Sequence, residues 1–200
     1  MAVTRNRVLP TLVSLTFDAD LQICWRAIEA LGLATSRVTE SNPGFVREQL
    51  RRLYWLISEE SGGICWRAPE AMAEIVFRQP KQFADYLPIT LFLLVTLEEE
   101  DLGHFRSGAL WAVGRLAGLA GDHLEELLPA VTAALGDADP QVRGLAVWAL
   151  QQAGAHQALV ERADLLTDQG SVDFYADRLI TRVTVGELAR RALSGSSAGG

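Results

Sequence analysis

Apolar residues recur along the chain at helical spacing, in blocks of about a dozen residues separated by short acidic or glycine-bearing turns. Four of these blocks are related. ICWRAIEALG from Ile23, ICWRAPEAMA from Ile64, FRSGALWAVG from Phe105 and VRGLAVWALQ from Val142 open 41, 41 and 37 residues apart. Each starts on a large apolar residue and places alanine four positions on (Ala27, Ala68, Ala109, Ala146). Alanine returns three positions later (Ala30, Ala71, Ala112, Ala149), followed by Leu31, Met72, Val113 or Leu150. At about 100° per residue these positions share one side of a helix, with small residues where neighbouring helices approach. Each block is therefore predicted to be the second helix of a hairpin. The first helices are predicted over residues 8–16, 45–58, 86–97 and 124–135.

Repeated hairpins of this length cannot bury their apolar faces singly and must stack. The predicted fold is all-α, an α-solenoid of about four helical hairpins over residues 1–160. In the fourth unit Asp139 and Pro140 supply an N-cap acceptor and a proline at the first helical position, where its missing N–H costs nothing. Beyond that unit the period changes. SVDFYADRLITRVT places apolar residues at Val172, Phe174, Leu179 and Val183, with a break at Ala176 and Asp177 suited to a short hairpin. Thr184 and Glu187 then form a Thr-x-x-Glu capping box that opens a helix over 185–193. Residues 161–193 thus read as a terminal β-hairpin and helix cap, and 194–200 as a flexible tail.

The second block departs from the pattern at Pro69. A helix running from Ile64 would lose a backbone bond there, so it kinks or begins near Ala68. That leaves Gly62, Gly63, Cys65 and Trp66 as a loop candidate beside Glu59, Glu60, Ser61, Arg67 and Glu70. Paired glycines permit close backbone approach, and a helix N-terminus offers unpaired N–H groups.

Taking each block's opening residue as 0°, the positions two and six further on fall opposite the core stripe. They hold Trp25 and Glu29, Trp66 and Glu70, Ser107 and Trp111, Gly144 and Trp148. Four of the five tryptophans are thereby predicted on an exposed inner face, with Trp55 assigned to packing. Exposed aromatic ladders supply large contact area at low entropic cost, which suits partner binding.

A net charge of −7 argues against a general binder of nucleic acid or anionic membranes. The longest apolar run, residues 87–97, is too short to span a bilayer. With two cysteines the chain has no disulfide scaffold, and a cytoplasmic location is expected. Cys24 and Cys65, at equivalent positions of stacked repeats, lie too far apart to bridge. A nucleophilic Cys65 would need a base, and His104 is the nearest by alignment. No phosphate loop, zinc motif or paired His-Glu dipeptide is present, so no metal, cofactor or catalytic residue is assigned.

DADPQVRGLAVWALQQAG (137–154), and more loosely FDADLQICWRAIEALG (17–32), resemble the HEAT-like repeat of the phycobilisome-lyase type. The stretch at 53–75 is similar to uncharacterised bacterial HEAT-like proteins. The resemblance covers about residues 8–160. It implies an armadillo-like helical array and leaves function open among lyases, hydroxylases and adaptors. The favoured function is an interaction scaffold that binds a protein partner through Trp25, Glu29, Trp66, Arg67, Glu70, Trp111 and Trp148. The alternative implied by the resemblance is a lyase-like handler of a tetrapyrrole-type ligand, held by Trp66, Trp111 and Trp148 and acted on by Cys65, Arg67 and Glu70.

Overall fold

A computed structural model gives the fold and describes residues 2–57, 67–99 and 105–196. The chain divides into two compact units, Met1–Thr90 and Leu91–Gly200.

The first unit contains α1 (Ala2–Leu15), α2 (Leu21–Thr39), α3 (Pro43–Trp55) and α4 (Ala68–Arg78). Each start has a local cause. The Asp20 side chain accepts the Gln22 N–H, and that of Asn42 accepts the Phe45 N–H one residue ahead of Pro43. In α4, Arg67 is the N-cap and Ala68 opens the helix, so Pro69 occupies the first turn as the sequence required. Helix α2 packs on α1, α3 and α4. Its core is Ile28 and Leu31 with Leu9, Leu50, Met72 and Ile75, each at most 1% exposed.

Helix α5 (Tyr86–Leu91) closes this unit, and α6 (Leu93–Glu99) begins the next. One helix was predicted across this stretch. It breaks at Phe92, after buried Thr90 has turned its hydroxyl to donate to the Tyr86 carbonyl at 2.8 Å, a bond that bends helices.

In the second unit follow α7 (Arg106–Leu116), α8 (His123–Ala133), α9 (Pro140–Gln152) and the single turn α10 (Gln157–Val160). Asp139 caps α9 by accepting the Gln141 N–H, with Pro140 first in the helix. The chain ends in β1 (Ser171–Ala176), β2 (Leu179–Thr184) and α11 (Val185–Ser196). The strands pair antiparallel, with Val172 opposite Val183 and Ala176 opposite Leu179. The turn is therefore Asp177 and Arg178, one residue later than predicted, and both have positive φ (51° and 65°). The capping box forms in both directions: Thr184 N–H donates to Glu187 Oε2 at 2.8 Å, and Glu187 N–H to Thr184 Oγ1 at 3.1 Å. Ion pairs tie the repeats together. Arg106 pairs with Asp137, and Arg143 grips both carboxylate oxygens of Asp168 at 2.8 and 3.1 Å.

The predicted all-α hairpin architecture with a two-stranded ribbon and C-terminal helix is thus observed. The alanine columns at 27, 68, 109 and 146 are buried throughout. Among the described residues no helix is long and apolar enough to cross a membrane.

Candidate functional site

The two ICWRA copies meet through different members of the motif. In the first copy, Cys24 sits at the start of α2 and donates its thiol hydrogen to the carbonyls of Asp18 (2.9 Å) and Thr16 (3.4 Å). Burial pushes this thiol above its ordinary range, against a smaller pull from Arg67, so it is a poor nucleophile and a good staple for the α1–α2 turn. The next residue, Trp25, turns its ring towards the second copy. The Arg67 guanidinium carbon stands 5.5 Å from the ring centroid, a cation–π geometry. Arg67 Nη1 also donates to Glu70 Oε1 at 2.8 Å.

Glu70 is fully buried in the first turn of α4. Its position is favourable for a carboxylate, because the helix N-terminus carries positive partial charge. Burial still dominates and raises its pKa, with Arg67 opposing. Its second oxygen, Oε2, is buried and accepts no hydrogen bond from the described residues. The Arg67 side chain is 23% exposed, so the cluster opens to solvent through Arg67 rather than through Glu70.

The tryptophan column differs from the angular expectation. Trp25 and Trp111 are 4% and 7% exposed and belong to the packing, while Trp148 and Glu29 are half-buried. In the second unit Trp111 and Trp148 stack at 6.0 Å and 19°, and Trp148 meets the edge of Phe174 on β1 at 5.9 Å. The physical reason is that the second helices are flanked on more than one side. Helix α9 packs against α7, α8, β1 and α11, so little of it stays free. No room remains beside Gly144, since a Cβ there would lie 2.5 Å from Val172 and 3.2 Å from Leu188. Two further expectations are corrected. Ile23, predicted in the core, is 40% exposed, and Trp55, assigned to packing, is 57% exposed.

Of the loop candidates, Glu59, Glu60, Ser61, Gly62, Gly63, Cys65 and Trp66 lie outside the described residues, as does His104. The structure thus brings together Trp25, Arg67 and Glu70 in one cluster, and Trp111 and Trp148 in another. The role of Cys24 in tying the α1–α2 turn was missed, because its partners, the Asp18 and Thr16 carbonyls, are backbone groups that no side-chain motif marks. Among the described residues no group of three His, Cys, Asp or Glu side chains could hold a metal ion.

Comparison with known proteins gives a match at family level for part of the chain. Residues 103–153 match a family described as HEAT-like repeat. No curated protein matches the chain in sequence. A solved structure similar to this chain is that of computationally designed armadillo repeat proteins for modular peptide recognition. The two are 21% identical with a TM-score of 0.48, over 92% of this chain and 79% of that one.

Proposed function

We propose that this helical-repeat chain is an interaction module that binds a protein partner in its first unit, at the mouth of the Trp25–Arg67–Glu70 cluster. The observation that carries the reading is a charged pair at the start of α4, Arg67 with the buried Glu70 carboxylate, whose partly exposed arginine lies over Trp25 of the preceding repeat. A buried ion pair is a weak source of stability, because the desolvation of two charges offsets much of their attraction. Such pairs are better accounted for by specificity, and charged groups at interfaces commonly set which partner fits.

The tryptophans enter this proposal in a changed role. Trp25 supports Arg67 from beneath, whereas Trp111 and Trp148 spend their faces on each other and on Phe174. The lyase-like alternative requires Trp111 and Trp148 to hold a flat ligand, and their mutual stacking speaks against it.

The test is site-directed photo-crosslinking in native cell extract, with a photoreactive residue at Glu29, half-buried and about one turn beyond Trp25 on α2, and another at Asp164 in the second unit as control. A discrete protein adduct from position 29 and none from position 164 is the expected result. Adducts from neither position, or equally from both, would remove the first unit as the binding surface.

A further inference from the structure

The cluster leaves one chemical capacity unused. A carboxylate offers about four lone-pair sites, and the Glu70 group meets only one arginine N–H and, more weakly, its own backbone N–H. Among the described residues, Glu70 Oε2 is a buried acceptor with no donor, in a residue that is 0% exposed. Leaving such an acceptor empty is costly, and the cost is larger for a charged group than for a neutral one. An acceptor-only oxygen calls for a donor, and a buried anion with half its hydrogen bonding unmet favours a cationic donor over a neutral one. Trp25 adds a π surface that already tolerates one guanidinium. Among the described residues, Arg67 is the one charged group that shifts Glu70.

Resting on the partner-binding reading above, we infer that Glu70 Oε2 is the acceptor for a guanidinium of the protein partner, which enters beside Arg67 so that one carboxylate is shared between two arginines. Arg67 holds Oε1 and fixes the carboxylate's orientation. The incoming group takes Oε2, and its approach runs past the Arg67 side chain, the partly exposed member of the cluster. A guanidinium suits the site better than an ammonium, because its planar fork can hydrogen-bond the carboxylate edge while stacking beside the indole. The expected specificity follows: an arginine peptide binds, its citrulline counterpart does not, because citrulline keeps the shape and loses the charge.

The experiment uses the full chain and three short capped peptides identical except for a central arginine, lysine or citrulline, titrated by calorimetry. Glu70→Gln keeps the shape of the side chain and removes its charge. Saturable binding of the arginine peptide, weakened at least tenfold by Glu70→Gln and at least tenfold by citrulline, is the expected result. Arg67→Lys is a second variant that keeps a cation on Oε1, and it retains arginine-peptide binding within about threefold. Circular dichroism of each variant establishes that the helices are intact. Absence of arginine-peptide binding to the wild type, equal binding of arginine and citrulline peptides, or unchanged affinity in folded Glu70→Gln each overturns the inference. Its failure is separable from that of the partner-binding reading. If the peptide does not bind yet position 29 still crosslinks a protein, the module stands and its chemistry at Glu70 is wrong; if crosslinking also fails, both fall.

Discussion

Whether the second unit's tryptophans are packing or surface is decided by Gly114→Ala. A Cβ at Gly114 would stand 2.5 Å from Trp148 Cζ3, 2.7 Å from Cε3 and 3.1 Å from the Ala149 Cα. Carbon atoms pack at about 3.5–4.0 Å, so the overlap is about 1 Å with a ring and a backbone atom together. The ring has little freedom to yield, being stacked on Trp111 and edged by Phe174. Overpacking of this kind costs about 1–3 kcal/mol, and backbone involvement places this case near the upper figure. Alanine in a helix recovers about 1 kcal/mol relative to glycine. The net expectation is a loss of about 2 kcal/mol, which lowers Tm by about 4–8 °C for a chain of this size. Gly118→Ala is the internal control, because a Cβ there meets nothing within 4 Å, and it is neutral or stabilising by up to about 1 kcal/mol. Urea unfolding followed by near-UV circular dichroism of the tryptophans reads both. If Gly114→Ala is as stable as wild type, Trp148 can move aside, and the argument that these rings are fixed in the core is refuted.

Two further outcomes follow from the geometry. Glu70 has a folded pKa above its ordinary value of 4.5, so the native state binds more protons than the unfolded chain in the interval above 4.5. Its contribution to stability is greatest below 4.5 and declines as pH rises to the folded pKa. Subtracting a Glu70→Gln unfolding series from that of wild type across pH 4–8 is expected to show this decline, and a flat or rising difference refutes it. At the ribbon turn, Arg178 holds a φ of 65° that side chains adopt at a cost. Arg178→Gly is expected to stabilise the cap by about 0.5–1 kcal/mol in thermal unfolding, and a lowered Tm would show that its side chain contributes more than its backbone costs.

The element order was legible because it rests on periodicity, which burial enforces. The alanine columns, the Asp139–Pro140 start and the Thr184–Glu187 box each depend on residues a few positions apart, and each is found as read. The exposure of the tryptophans was not legible. A helical angle states which residues share a side, but not how many neighbours a helix has. Helix α2 has three and α9 has more, so the side opposite the alanines is also covered. The Trp25–Arg67 contact lies between residues 42 apart in sequence, and nothing in local spacing could bring them together.

The same two columns are used differently in the two units, and this locates the polar chemistry. In the third and fourth blocks arginine follows the opening residue directly, as Arg106 and Arg143, and each staples an aspartate of the following turn, Asp137 and Asp168. Tryptophan there occupies the seventh position, where Trp111 and Trp148 stack into the packing. In the first two blocks cysteine follows the opening residue, arginine moves to the fourth position and glutamate takes the seventh. Arg67 thereby cannot copy the staple of Arg106 and Arg143; it lies on Trp25 instead and pairs with Glu70, the residue that stands where the third and fourth blocks have tryptophan. Placing a carboxylate where an indole would pack exchanges several kcal/mol of apolar burial for a charge that must be desolvated. That exchange stabilises nothing by itself. On the partner-binding proposal a group from outside that the carboxylate receives accounts for it, and it is on this ground that we propose the first unit as the site.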